Sequence, residues 1–452
     1  MEKMFKLKEH NTDVRTEITA GITTFLAMVY ILAVNPSILA ASGMNPASVF
    51  TATAISAAFG TLIMAFYANY PVAMASGMGL NAYFAFTVCG DLVRAGVNDP
   101  WKIALTAVFC EGIIFVLLSF TNFREKLVNE IPMNLKYGIT TGIGLFILIV
   151  GLKGAGIVIA DESTLVALGD FSSPEVVLAL IGFIVIAALS HFNVKGHILI
   201  GILVTWFLGM IAQVIGWYHV DPENGIYSLF PDFSGGLMPT NVTLFAFDFG
   251  WVAAHLIDFI VIIFSFLFVD IFDTVGTLIG VTSKAGLLDE KGMLPRAKQA
   301  LLADAFGTIA GACIGTSTVS SYVESSAGVA EGGKTGLTAA TTGVLFLAAL
   351  LLSPIFLAIP SFATTPALMW VGLLMFMSVM NMTFVGDIAD VVSGFMAIVI
   401  MPFTYSIANG IMFGMLSWVI LKVCTGKTKE VTGIMWICFV LFAARILTLI
   451  TG

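Results

Sequence analysis

The chain has 452 residues, 58% hydrophobic and 11% charged, where a soluble domain carries about 25% charged residues; too few charges exist to cover a soluble surface of this size. Net charge is −8, so no basic surface is available for phosphates and nucleic acid is excluded as a partner. The five cysteines (Cys89, Cys110, Cys313, Cys424, Cys438) mostly sit in apolar runs without CxxC spacing, and the histidines form no ligand-spaced cluster, so neither disulfides nor a metal site is expected.

In chain order, residues 1–17 form a charged N-terminus, and no short apolar core with a small-residue cleavage site follows. A helix crosses a bilayer with about 20 apolar residues. Apolar stretches at 18–40, 47–67, 72–89, 102–120, 135–152, 174–191 and 196–216 fit that length in the first half. After a loop at 217–252 come 253–281, 298–314, 317–331, 336–353, 364–381, 388–402 and 405–423. The expectation is an all-α, multi-pass membrane protein with about 14 spans. In the C-terminal segment 424–452, the stretch 433–449 contains Arg445, and hydropathy leaves open whether it spans or lies at the interface.

Counted from a cytoplasmic N-terminus, the inner loops hold Arg124, Lys126, Lys195, Lys284, Lys291, Arg296 and Lys334. The loop 217–252 holds Asp221, Glu223, Asp232 and Asp248 and no Lys or Arg. Arg94, Lys102 and Lys153 run against the bias, which still favours a cytoplasmic N-terminus, in the cell (inner) membrane. Seven spans followed by seven would set the second half, 253–423, upside down relative to the first, 18–216. Weak echoes agree: PVAMASGMGLNAYF (71–84) aligns without gaps on IGTSTVSSYVESSA (314–327), with Asn81 opposite Glu324.

Three stretches carry chemistry. In FLFVDIFDTVGTLIGV (266–281), Asp270 and Asp273 are three apart and share a helix face with Thr277. A carboxylate at mid-bilayer costs about 2.5–3.5 kcal/mol, and few basic residues lie within the spans, so a substrate or proton site outweighs a structural ion pair. GTSTVSSYVESSAGVAEGG (315–333) is too polar for a lipid-facing helix. It fits a half-helix preceded by extended backbone, tolerated at membrane depth only when buried or lining a cavity. Glu324, followed by Ser325, falls near the expected helix start, where free N–H groups favour negative charge. ANYPVAMASGMGLNAYFAF (68–86) is interrupted by Pro71, Gly77 and Gly79 before Asn81. Two interrupted segments in matching positions point to a transport site.

GVAEGGKT (328–335) matches the phosphate-loop pattern letter for letter, but that loop needs a preceding strand in an α/β domain, and apolar membrane segments flank it here. Glu111, Asp258 and Asp304 read as structural or supporting, with Asp304 foremost because it precedes the Glu324 segment. No Ser-His-Asp arrangement or G-x-S-x-G elbow appears, so an enzyme is not expected.

TAGITTFLAMVYILAVNP (19–36), SGMGLNAYFAF (76–86), VDIFDTVGTLIGV (269–281), LLADAFGTIAGACIGTSTVSSYVESSAGVAEGGKTGL (301–337) and MPFTYSIANGI (401–411) resemble the AzgA-like purine permeases of the nucleobase–cation symporter-2 superfamily. The resemblance covers nearly the whole chain. It implies import of adenine, guanine or hypoxanthine with protons by alternating access, driven by the proton gradient with no cofactor. It implies two inverted seven-span repeats, a core domain (18–120 and 253–353), a gate domain (135–216 and 364–423), and short strands in spans 3 and 10 that meet beside the substrate. By motif, Asp270 and Glu324 are the expected substrate and proton-coupling groups. Asn81, Ser325 and Asp273 join them, the last in coupling, and Thr277 and Asp304 support. A purine is planar, neutral and rich in N–H donors, and a carboxylate accepts two such bonds side by side. Tyr83, Phe84 or Phe268 could stack on the base. A homodimer is compatible with the resemblance. An anion transporter of similar fold would want cationic sites, which Asp270 and Glu324 oppose; a channel would not need a proton gradient.

Overall fold

The computed structural model describes residues 2–119, 130–161, 163–221, 227–234, 236–237, 242–288 and 294–451. Without water at membrane depth, each backbone polar group must be satisfied within its own segment or a neighbour, so apolar sequence becomes helix after helix. Span 1 is α1 (Val14–Met28), capped by the Asp13 carboxylate, then α2 (Ile31–Ala40). α3 (Pro46–Ile63) follows. Span 3 breaks into strand β1 (Met74–Ser76), α4 (Met78–Ala82), a wide π-type turn over Tyr83–Val88, and α5 (Cys89–Arg94). α6 (Pro100–Ser119), α7 (Met133–Gly154), a hairpin β2–β3 (Val158–Asp161 with Leu165–Leu168), α8 (Pro174–His191) and α9 (His197–Val214) complete this half.

The second half runs α10 (Leu256–Lys284), α11 (Ala297–Ile314), β4 (Val319–Ser321), α12 (Ser325–Ala330) and α13 (Gly336–Ala348). It ends with α14 (Ser361–Phe376), α15 (Ile388–Thr404), α16 (Ile407–Cys424) and α17 (Gly433–Thr451). Among the described residues, 9 helical segments are long and apolar enough to cross a membrane. They coincide with expected spans 1, 2, 4–7, 11, 12 and 14. Spans 3 and 10 are the strand-broken ones, spans 8 and 9 are the acid-bearing α10 and α11, and span 13 is α15, with 17 residues. The chain is an all-α, multi-pass membrane protein.

The two broken segments meet. β1 and β4 pair antiparallel, Met74 opposite Ser321 and Ser76 opposite Val319. This corrects the gap-free alignment of the two halves. The ladder relates Met74 to Val319 and Ser76 to Ser321, so by strand register Glu324 corresponds to Gly79 and not to Asn81. The strand ladder sets this correspondence, which low sequence identity could not.

Around this crossing the helices form two packed groups. α1, α3, α6, α10, α11 and α13 surround the strand pair, while α7, α8, α9, α14, α15 and α16 pack on one another. In the second group backbones nearly touch: a Cβ on Gly138 of α7 would stand 2.6 Å from Gly394 of α15. Small residues at such crossings are how membrane helices associate when lipid is as apolar as the side chains. The stretch 433–449, left open by hydropathy, lies along the spans. Phe442 packs 5.5 Å from Phe264, and Arg445 pairs with Asp258 near the start of α10, so α17 runs antiparallel to α10 while also packing on α16.

The phosphate-loop letters have a local explanation. The Lys334 and Thr335 amides donate to the Glu17 carboxylate at 3.0 and 3.2 Å, and Thr338 donates to it through its N–H at 3.2 Å and its hydroxyl at 2.6 Å. The anion-binding amides at the start of α13 are thus filled by a wholly buried carboxylate from α1.

Candidate functional site

Extended backbone inside a membrane protein needs partners, and β1 and β4 have them. The Thr61 hydroxyl accepts from the Met74 amide at 2.9 Å and donates to its carbonyl at 3.1 Å. Gly77 N–H donates to Thr318 O at 3.0 Å, and Tyr322 N–H to Ala73 O at 3.0 Å. The Tyr322 hydroxyl closes on Ser76 O at 2.6 Å, and the Thr308 hydroxyl on Val319 O at 3.1 Å. The strands are therefore framed on their polar edges, and they deliver the two half-helices α4 and α12 from opposite ends of the short ladder.

Beside those starts is a cavity of about 510 Å³. On one wall are Gly77 and Met78 from the β1–α4 junction, Ser321, Tyr322 and Glu324 from β4 onward, Asp273 and Thr277 from α10, and Tyr30 from the α1–α2 break. The opposite wall is mainly apolar, with Ile139 and Ile143 of α7 and Val371 and Met375 of α14, relieved by Thr140 and Ser378. The two walls thus come from the two helix groups. Glu324 accepts from the Tyr30 hydroxyl at 2.6 Å, and Asp273 accepts from the Ser320 hydroxyl at 3.1 Å. Two half-buried carboxylates and two phenols around one slot can take a flat molecule with N–H donors on its edge.

The family model for the Permease family matches residues 15–413. The chain belongs to that family, the nucleobase–cation symporter-2 permeases. The guanine/hypoxanthine permease PbuO of Bacillus subtilis (strain 168) is 46% identical over 448 residues, covering 99% of this chain and 100% of that protein. The adenine permease AdeQ of Escherichia coli (strain K12) is 42% identical over 447 residues, covering 99% and 96%. The chain is a permease, not an enzyme. Its fold resembles the transmembrane domain of a cyanobacterium bicarbonate transporter, BicA, with a TM-score of 0.67 and 15% identity over 87% of this chain and 97% of that one.

In this permease the expected site residues divide. Glu324, Asp273 and Thr277 line the cavity. Asp270 lies behind it, 1% exposed, accepting from the Thr274 hydroxyl at 3.3 Å; the same hydroxyl reaches Asp304 at 2.9 Å. Asn81 is wholly buried in the crossing, where its side chain accepts from the Ser317 hydroxyl and donates to Ser76 O at 3.4 Å. The Ser325 hydroxyl accepts from the Ala73 amide at 3.0 Å, tying the start of α12 to the backbone that enters β1. Tyr83 is away from this cavity, edge-on to Phe266 at 4.6 Å, and lines a second one of about 390 Å³ that Arg445 and Asp258 also border. Phe84 and Phe268 are buried in packing. The rings at the site are Tyr30 and Tyr322, which the sequence reading did not choose. Tyr322, two residues before Glu324, could have been found from strand alternation; Tyr30 had only its polar hydroxyl amid an apolar run as a signal.

Proposed function

We propose that the permease imports purine nucleobases (hypoxanthine, guanine or adenine) together with protons, by alternating access. The observation that carries this reading is the convergence of Asp273 and Glu324 on one cavity walled by Tyr30 and Tyr322. It is supported by relatives named as adenine and guanine/hypoxanthine permeases at 42% and 46% identity over nearly their full lengths. Asp273 and Glu324 accept N–H bonds from the edge of the base, the phenols flank its faces, and the apolar wall of α7 and α14 closes against it. Asp270, one turn behind Asp273 and joined through Thr274 to Asp304, carries the coupled proton. The Lys and Arg bias supports an N-terminus in the cytoplasm, and the reading takes the cell (inner) membrane as the membrane crossed. On that orientation the cavity lies in the cytoplasmic half, beside the early turns of α7 and the late turns of α14, and the two helix groups move against each other to expose it alternately.

The test is uptake of radiolabelled hypoxanthine, guanine and adenine into proteoliposomes with and without an inward proton gradient, for wild type, Asp273→Asn and Glu324→Gln, with bicarbonate as the anion control. Saturable, gradient-dependent uptake lost in both variants is expected. Bicarbonate flux without purine uptake by well-folded protein would overturn the assignment.

A further inference from the structure

We propose that Tyr30 is a positioning residue of the base site, fixing which oxygen of Glu324 is offered to the ligand; the inference rests on the purine reading above. Span 1 is interrupted at residues 29–30, between α1 and α2. At this break the Tyr30 side chain is only 1% exposed, yet its hydroxyl edges the cavity and donates to Glu324 Oε1 at 2.6 Å.

The pairing joins residues 294 apart in sequence, and packing explains it. α12 lies directly on α1: a Cβ on Gly328 would stand 2.5 Å from the Ala20 carbonyl oxygen and closer still to the Thr24 hydroxyl. Glu324 precedes Gly328 by one helical turn, and Tyr30 follows Thr24 by less than two, so the two helices run past each other in opposite senses and bring phenol and carboxylate face to face. Because Glu324 stands just ahead of α12 and makes no cap bond to it, the phenol is its side-chain anchor.

An O–H bond to a carboxylate is among the stronger hydrogen bonds. By occupying Oε1 it directs Oε2 to the base and removes rotamer freedom that binding would otherwise have to freeze. Tyr30 therefore acts on substrate affinity through Glu324.

The experiment is proteoliposome uptake of hypoxanthine at graded concentrations by wild type, Tyr30→Phe and Tyr30→His. Phenylalanine keeps the ring and removes the donor, so KM should rise about tenfold, the worth of one hydrogen bond to a charged group, with Vmax within about a factor of two on the same scale. Histidine keeps a donor and should recover part of the affinity. A purely packing role would instead lower Vmax and folding yield while leaving KM in place. A Tyr30→Phe KM equal to wild type, or equal rises in the two variants, would overturn the proposal while leaving the purine reading intact. Wild-type protein that takes up no purine would sink both.

Discussion

Asp270 and Asp273 are one helical turn apart on α10, yet their surroundings differ. Asp273 borders the cavity and holds Ser320, whereas Asp270 is buried behind it with Thr274. If Asp273 meets the base and Asp270 carries the proton, the two conservative variants separate. Asp273→Asn should raise the hypoxanthine dissociation constant at least about tenfold, the worth of one charge-assisted hydrogen bond. Asp270→Asn should leave that constant near wild type and abolish accumulation driven by the proton gradient, with base exchange retained. Equilibrium binding on purified protein and counterflow in proteoliposomes check both. The i,i+3 spacing placed both carboxylates on one face from sequence alone, but a face is broader than a cavity wall. Which of the pair borders the slot depends on the rotation of α10 against β4, and Ser320 fixes that rotation from elsewhere in the chain. The same limit applies to Tyr83 and Phe268: an aromatic residue near a motif carries no sign of the direction its ring takes.

Elements were legible to the extent that their cause is local. Segment length and apolarity place the spans, because a bilayer admits little else. The β1–β4 crossing is a long-range pairing, expected through family resemblance and unreadable from either strand alone. The start of α13 shows the opposite failure, a local pattern whose letters fit a phosphate loop while its amides hold Glu17. Removing that carboxylate strands several buried donors, so Glu17→Ala should destabilise the protein by about 3 kcal/mol, read as a lowered melting temperature in detergent with KM for the base unchanged. At the start of α15, Lys422 and then Lys427 bond the Asp387 carboxylate at 2.7 and 2.8 Å and hold it well below the usual carboxylate range. A depressed native pKa stabilises the fold fully above the unfolded value of about 3.9 and is lost as pH falls through the native value. The melting-temperature gap between wild type and Asp387→Asn should therefore be flat through neutral pH and shrink only below about pH 4.

At the scale of the molecule, the cavity has one wall from each helix group, so the alternating access proposed above requires the groups to separate on one side and close on the other. The contact between them away from the cavity is specific. Beyond the half-helix α4, Phe86 in the π-type turn packs 6.1 Å from Tyr405, and the Ile407 amide at the start of α16 reaches the Thr87 hydroxyl at 3.4 Å. Tyr405 is held there at a positive φ of 53°, which a bulky residue adopts only where its surroundings enforce it. Here Phe86, Phe146 at 5.3 Å and the Lys153 ammonium at 5.0 Å surround its ring. Binding the base to one side cannot move it across unless this contact opens. Cysteines at Thr87 and Ile407, joined by a short thiol cross-linker in a background without native cysteines, should therefore stop hypoxanthine uptake, and a reductant that cleaves the linker should restore it. Binding in detergent should survive the cross-link, because Asp273 and Glu324 lie on the other side of α4. Continued flux through the cross-linked protein would mean that the groups need not part, and the polar cavity would then be a section of a channel.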